Sequence, residues 1–132
     1  MGNYDKIIKK YRMETKYMTL LIHYPKCTTC IKAKKFLQNN NIEFEERHIV
    51  DNNPTKEELT SWIKESNLEI KKFFNTSGKL YKELGLKDKL KSMTDEEKIE
   101  LLSTNGMLVK RPILIKNSKV LVGFKEDEYS NL

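Results

Sequence analysis

The chain has 132 residues, of which 38% are hydrophobic and 33% charged, and its formal net charge is +6 at pH 7. This length and composition predict one soluble globular domain with a real core, and they exclude a disordered chain. No apolar run approaches the roughly 18–20 residues that span a bilayer, and the N-terminus lacks the apolar stretch of a secretory signal, so the predicted location is the cytoplasm, with no membrane partner.

The positive charge is carried mostly by lysine, since arginine occurs only at Arg12, Arg47 and Arg111 among the 25 basic residues. The lysines are spread along the whole chain, and no arginine-rich or aromatic-interleaved tract marks a nucleic-acid face. We therefore predict solvated lysine-rich surfaces and no direct nucleic-acid partner. A basic surface favours acidic partners only weakly and in a salt-dependent way.

The first seventeen residues are polar and basic and precede the first clear strand. We predict that residues 1–17 are a flexible N-terminal extension and that residues 18–132 form the domain. An apolar run rich in β-forming residues over 18–24 predicts a buried strand, which Pro25 ends.

A helix is predicted next, from about Thr28 to Asn40, because Cys30, Ala33 and Leu37 recur at helical spacing with lysines on the other side. Alternating apolar and polar residues over 42–50 predict a second strand. These elements make a β-α-β unit, whose helix is long enough for a right-handed crossover between parallel strands.

The second half begins with a helical block, predicted over about residues 54–106. Thr55-x-x-Glu58 and Thr94-x-x-Glu97 are two capping boxes, each of which predicts a helix start. Two β-rich runs joined at Asn117-Ser118 then predict an antiparallel hairpin, and a short helix follows. The order is β-α-β, a helical insertion, then β-β-α.

The two cysteines of the chain form a Cys-x-x-Cys motif between the first strand and the first helix. The helix N-terminus offers Cys27 unpaired N–H groups and a positive dipole, which lower the pKa of a thiol. Cys30, one turn further, is placed to attack a mixed disulfide that Cys27 forms. Lys26 and Lys32 add positive potential. In this context the motif predicts a redox pair, with Cys27 as nucleophile and Cys30 as resolving thiol.

Two other interpretations of the cysteines stay open at this point. A buried, inert pair is the first, although Cys27 in a loop after Pro25 does not favour it. A zinc site is the second, in which His23 and His48 would complete a Cys2His2 set. Neither histidine follows zinc-finger spacing, so we predict ordinary strand residues and no metal.

Arg111-Pro112 is the second feature with chemical meaning. The proline interrupts a β-rich run, so it is expected at the first position of a strand, and a cis peptide is favoured there. Arg111 would then hold an anion or stabilise the thiolate of Cys27. A surface arginine before an edge strand is the equally weighted alternative.

With these features the chain resembles the family of ArsC-like arsenate reductases and Spx regulators. The resemblance is carried by the Cys-x-x-Cys motif, "NTSGKLYKELGL" (75–86), "STNGMLVKRPI" (103–113) and "VGFKEDEY" (122–129), and it covers residues 18–132. It implies a thioredoxin-like α/β fold with a helical insertion. It also implies a cis-proline at Pro112 and a reactive Cys27 with Arg111 close to it. The adjoining Lys26, Thr28 and Thr29, with Pro112, are predicted substrate contacts.

The family divides into enzymes and regulators. Arsenate reductases of this class use one cysteine, three arginines around the oxyanion, and glutathione with glutaredoxin. In this chain Cys27 and Arg111 match, whereas the other two arginines would fall near Asn75 and near Gly123-Phe124, where none occurs. Spx regulators use Cys-x-x-Cys as a thiol/disulfide switch and bind RNA polymerase.

Three functions are therefore predicted in order of preference. The first is a thiol-disulfide oxidoreductase that reduces a disulfide, a glutathione mixed disulfide or an oxyanion. The second is a redox-switched regulator that binds RNA polymerase, and the third is an arsenate reductase. No bound cofactor is expected; glutathione is the expected co-substrate, with glutaredoxin or thioredoxin as electron donor.

Overall fold

The computed structural model describes residues 19–132, so the predicted extension of residues 1–17 and Met18 lie outside the described part. One mixed sheet runs through it, with the strands in the order β2-β1-β3-β4. Strands β1 and β2 are parallel, whereas β3 is antiparallel to both β1 and β4. The strands are β1 (Thr19–His23), β2 (Glu45–His48), β3 (Ile113–Lys116) and β4 (Lys119–Val122).

Helix α1 (Thr28–Asn39) connects the two parallel strands, as the β-α-β pattern predicted. The second strand was predicted too long: residues 42–50 were expected, and only Glu45–His48 are in the sheet. The reason is the partner strand, because β2 is an edge strand whose pairing with β1 ends at His23. Ile49 beyond it is buried in the core without being part of the strand.

The sheet has an apolar core on each face because its central strands alternate between the two sides. Leu21, Leu114 and Leu121 face α1 and the C-terminal helix α6 (Glu126–Ser130). Ile22 and Ile113 belong to the larger core on the other face, against the insertion. The predicted mixed sheet and the hairpin at Asn117-Ser118 are confirmed.

The predicted helical insertion lies between β2 and β3. Both capping boxes are present, at Thr55 with Glu58 and at Thr94 with Glu97. Within the predicted helical block, the segment Ile70–Phe73 is a 3-10 turn. The insertion contains α2 (Lys56–Ser66), α3 (Lys79–Glu83), α4 (Leu86–Lys89) and α5 (Asp95–Thr104), with 3-10 turns at Ile70–Phe73, Leu90–Ser92 and Gly106–Leu108. No helix within residues 19–132 is long and apolar enough to cross a membrane.

Backbone hydrogen bonds attach the segment before β3 to the insertion. The N–H of Asn75 donates to the carbonyl of Leu108 at 2.8 Å, and the N–H of Lys110 donates to the carbonyl of Phe73 at 2.7 Å. Gly106 packs so tightly on β2 that a Cβ there would lie 2.7 Å from the carbonyl carbon of Ile49. This docking carries residues 106–112 to the end of the sheet where β1 leads into α1.

Candidate thiol site

The site begins where β1 gives way to α1. Pro25 interrupts the chain after the strand, and the N–H of Cys27 donates to the carbonyl of Tyr24 at 3.0 Å, which closes a tight turn. Cys27 is the N-cap residue of α1, and the first turn of that helix carries no acidic side chain. The positive end of the helix dipole therefore faces the Cys27 thiol without a neighbouring carboxylate to cancel it.

The sulfur of Cys27 is half-buried and accepts hydrogen bonds from several donors. Burial by itself raises the pKa of this thiol. The thiol and the backbone N–H of Cys30 oppose that effect by donating to the sulfur, and so does the guanidinium of Arg111, whose charge adds to it. The donors outweigh the burial, so the pKa of Cys27 lies below that of an ordinary thiol.

Cys30 has the opposite character. It is fully buried on the inner face of α1, and burial is the main reason why its pKa is raised to about 12. Its hydrogen bond to Cys27 and the charge of a Cys27 thiolate raise the pKa of Cys30 further. Both cysteines are free thiols in the structure. The two thiols therefore differ as the motif predicted, with a more acidic Cys27 and a protonated Cys30.

Arg111 reaches the thiols from the segment before β3. The peptide bond between Arg111 and Pro112 is cis, in agreement with the prediction. The guanidinium lies over the ring of Tyr24, 5.0 Å from its centroid, and its Nη1 is 4.0 Å from the sulfur of Met107. Within residues 19–132 no carboxylate forms an ion pair with Arg111, and its buried Nε has no hydrogen-bond partner. No carboxylate among the described residues therefore neutralises the charge of Arg111.

The other predicted contact residues lie around these groups. Lys26, Thr28 and Thr29 are exposed beside Cys27, whereas Pro112 is buried. The carbonyl of Pro112 accepts the N–H of Gly123 at 2.8 Å, which joins the start of β3 to the end of β4. A substrate contact by any of these four residues stays a prediction.

The histidines of the zinc hypothesis are engaged elsewhere. The Nε2 of His23 is 3.0 Å from the carboxylate of Glu46, which also pairs with Lys34. The Nδ1 of His48 accepts the backbone N–H groups of Val50 and Asp51. Among residues 19–132 no group of three or more histidine, cysteine or acidic side chains is arranged to hold a metal ion. Both histidines lie on strands, as predicted.

A cavity of about 370 Å³ lies beside Cys30. It lies between α1 and the ends of the two parallel strands, and Lys34 and Glu46 pair within it. It is lined by His23, Pro25, Cys30, Ile31, Lys34, Glu46 and His48.

The two positions at which family arginines were expected carry no charge in this chain. Asn75 and Gly123 are both hydrogen-bonded through their backbones to the segment around Arg111, so they lie near the site and add no guanidinium to it. Arg47 is occupied elsewhere, where it binds the carboxylate of Glu58 and two backbone carbonyls. An oxyanion at Cys27 would find one arginine among residues 19–132.

Two residues of the site were missed by sequence reasoning. Tyr24 contacts Arg111 with its ring and Cys27 through its carbonyl, and Met107 contacts the guanidinium from the other segment. Tyr24 had a usable signal, because a large aromatic residue at the end of β1 necessarily lies at the sheet edge from which the Cys27 loop departs. Met107 had none, since only the docking of the insertion brings it there.

A mixed four-stranded sheet with a Cys-x-x-Cys motif at the N-terminus of its crossover helix defines the thioredoxin-like class of thiol proteins. Within that class the chain belongs to the ArsC family, whose model matches residues 22–132. This confirms the family resemblance and the fold class.

Relatives in this family include proteins with regulatory names. The chain is 53% identical over 106 residues to the uncharacterised protein YusI of Bacillus subtilis strain 168, covering 80% of this chain and 90% of YusI. It is 37% identical over 109 residues to the regulatory protein MgsR of the same organism, with 83% and 85% covered. It is 30% identical over 111 residues to the global transcriptional regulator Spx of Streptococcus agalactiae, with 84% and 80% covered.

Solved structures agree with the fold. An ArsC-family-related protein of Bacteroides fragilis superposes with a TM-score of 0.85 at 58% identity, covering 88% of this chain and 98% of that protein. The "possible arsenate reductase" of Streptococcus mutans UA159 superposes with a TM-score of 0.79 at 39% identity, with 86% and 98% covered. The family thus joins thiol oxidoreductase-like and regulatory proteins on one fold.

Proposed function

We propose that the protein is a thiol-disulfide oxidoreductase in which Cys27 is the nucleophile and Cys30 the resolving thiol. The contrast between the two thiols carries this proposal: Cys27 is partly accessible with a lowered pKa beside Arg111, and Cys30 is buried with a raised pKa. A thiolate, not a thiol, attacks disulfides, so Cys27 is the member of the pair suited to react first.

The reaction takes place in two exchanges. The Cys27 thiolate attacks one sulfur of a substrate disulfide, forms a mixed disulfide and releases the other half of the substrate as a thiolate. Cys30 then loses its proton to that thiolate or to water and attacks the Cys27 sulfur, which releases the second half and leaves a Cys27–Cys30 disulfide. The substrate gains two electrons and the cysteine pair loses two.

The raised pKa of Cys30 is suited to this order of events. Part of it comes from the hydrogen bond to Cys27 and from the negative charge of the Cys27 thiolate. Both causes disappear when Cys27 enters a mixed disulfide, because its sulfur is then neutral. The pKa of Cys30 is therefore expected to fall at the step that requires its deprotonation.

An external thiol must return the pair to its reduced form. Glutathione, acting directly or through glutaredoxin, is the donor we propose, with thioredoxin as the alternative. These donors act in a reducing compartment, and the proposed location is accordingly the cytoplasm.

Turnover of a glutathionylated peptide with glutathione as donor tests this function. Cys27→Ser is expected to abolish turnover. Cys30→Ser is expected to form the mixed disulfide with the peptide or with glutathione and to accumulate it, which mass spectrometry of the intact protein detects. Lys119→Gln, at an exposed residue on the end of the sheet opposite Cys27, serves as the matched control. Equal turnover in wild type and Cys27→Ser would exclude Cys27 from the chemistry.

A redox-switched regulator is the second candidate, and the relatives MgsR and Spx support it because each covers more than 80% of this chain. In that role the Cys27–Cys30 disulfide would itself be the signal, and RNA polymerase is the partner we propose. Affinity capture of purified RNA polymerase by reduced and by oxidised protein provides the test. Binding by neither form would count against a regulator.

Arsenate reduction is the third candidate, to which the likeness to the Streptococcus mutans protein adds support. Among residues 19–132 only Arg111 lies at the site, and this argues against it, because a doubly charged oxyanion would lack most of the charge-assisted hydrogen bonds of a three-arginine site. We expect no turnover of arsenate in the presence of glutathione and glutaredoxin. Sustained arsenite production would make this the leading function.

A further inference from the structure

Apart from the Cys27 thiol, the side chains that contact Arg111 among residues 19–132 are uncharged. The guanidinium stacks over the face of Tyr24 at 5.0 Å, touches the thioether of Met107 at 4.0 Å, and has an Nε that is buried without a partner. Arg47 shows the alternative in the same chain, since the carboxylate of Glu58 binds it at two atoms. Both described arginines lie over an aromatic ring, since Arg47 is 5.8 Å from the ring centroid of Trp62, but only Arg47 also has a carboxylate partner.

The absence of a carboxylate partner affects how strongly Arg111 can stabilise a Cys27 thiolate. A carboxylate partner would cancel most of the charge that the guanidinium presents to Cys27. An aromatic face attracts a cation through its quadrupole and leaves the net charge unchanged. Stacking also fixes the plane of the guanidinium, so that less conformational freedom is lost when it acts on Cys27.

Tyr24 is itself fixed on several sides. Its ring meets the ring of His48 edge-on, with centroids 5.6 Å apart at 89°. Its carbonyl accepts the N–H of Cys27, and Pro25 restricts the backbone conformation of Tyr24. One residue thus contacts both members of the Cys27–Arg111 pair, through its backbone on one side and its ring on the other.

We propose that Tyr24 is a positioning residue, whose aromatic face holds the Arg111 guanidinium beside Cys27. The proposal rests on the proposed role of Cys27 as the reacting thiol, and it assigns to Tyr24 an action through Arg111 rather than a contact with substrate. It also predicts which part of the side chain matters, because the π face is shared by tyrosine and phenylalanine but not by leucine.

The test is the pH dependence of Cys27 alkylation by iodoacetamide, with the modified cysteine located by mass spectrometry. Loss of a cation–π contact of this kind corresponds to a shift of about 0.5–1 pH unit. Tyr24→Leu is expected to raise the apparent pKa of Cys27 by that amount, whereas Tyr24→Phe should stay close to wild type. Circular dichroism confirms that each variant is folded.

The decisive comparison is a double-mutant cycle with Arg111→Ala. If Tyr24 acts through Arg111, Tyr24→Leu has no further effect on Cys27 once Arg111 is gone. The same shift with and without Arg111 would overturn the proposal, since Tyr24 would then act on the Cys27 loop directly. An equal shift in Tyr24→Phe and Tyr24→Leu would also overturn it, because the hydroxyl would be the cause.

The outcome does not depend on turnover. Alkylation measures the thiolate of Cys27 whether or not a glutathionylated peptide is a substrate. A protein without disulfide reductase activity therefore still gives a result for Tyr24, and an active protein whose Cys27 ignores Tyr24 disproves only the positioning role.

Discussion

Removing the Arg111 guanidinium is expected to raise the pKa of Cys27 and to slow its reaction at neutral pH. In wild type the guanidinium donates to the Cys27 sulfur and adds its charge, and these contributions help to lower the pKa against the effect of burial. Arg111→Ala removes both contributions and leaves the hydrogen bonds from Cys30 and the helix N-terminus in place. The thiolate therefore loses part of its stabilisation and the neutral thiol loses nothing.

The size of the effect follows from the exposure of the site. Two unit charges about 4 Å apart attract by roughly 1 kcal/mol in water and by roughly 4 kcal/mol at an effective dielectric constant of about 20. Cys27 is only half-buried, which places the pair near the lower limit. Since one pKa unit corresponds to about 1.4 kcal/mol, we expect a rise of about one unit.

Iodoacetamide alkylation between pH 5 and pH 10 measures this shift. Below both pKa values a rise of about one unit makes alkylation of Arg111→Ala about tenfold slower than that of wild type, and the two rates converge at high pH. Lys110→Ala removes an exposed cation from the adjacent position and should leave the profile nearly unchanged. Superimposable profiles for wild type and Arg111→Ala would refute the electrostatic role of this arginine.

Two further predictions concern the scaffold. Burial raises the pKa of Glu58, but the hydrogen bonds and charge of Arg47 outweigh burial, and the pKa is lowered. The ion pair therefore stabilises the fold at pH values above the pKa of an ordinary glutamate. This stability is lost as the pH falls through the lowered pKa. Glu58→Gln should therefore lower the free energy of unfolding in urea by about 1 kcal/mol at pH 7 and by less near pH 3, and an equal loss at both pH values would contradict the assignment. Gly106→Ala would drive a Cβ into the carbonyl group of Ile49 and should cost at least about 2–3 kcal/mol, measured in the same way. Gly85→Ala, at a φ of 63° with open space around it, should cost only about 1 kcal/mol, and an equal loss in the two glycine variants would show that close packing is not the cause.

Sequence patterns that involve only neighbouring residues correctly predicted where two helices begin. The capping boxes at Thr55 and Thr94 form as expected, because each depends only on a residue and the one three positions later. The length of the second strand could not be predicted from such patterns. Its apolar alternation extends over residues 42–50, but a strand needs a partner, and β1 offers pairing only as far as His23.

The candidate site likewise has some features that the sequence predicted and others that it did not. The Cys-x-x-Cys motif and its place at the start of α1 follow from the order of residues, so the asymmetry of the two thiols was predictable. The contact of Met107 with Arg111 was not predictable, because the two segments involved meet only when the insertion docks on the sheet. Tyr24 had a signal in its position after β1, but its stacking on Arg111 depends on the same docking. The approach of Arg111 itself was left open by spacing and was indicated by the family resemblance alone.

The sequence by itself determined the family, the order of the elements and which cysteine begins a helix. These properties depend on periodicity and on short-range geometry, which a single segment contains. Only the tertiary structure decided how Arg111 is held, since a stacking distance between residues 24 and 111 is set by the packing of every element between them. That packing places the guanidinium over the ring of Tyr24 with no carboxylate of residues 19–132 paired to it, and its charge helps to lower the pKa of Cys27.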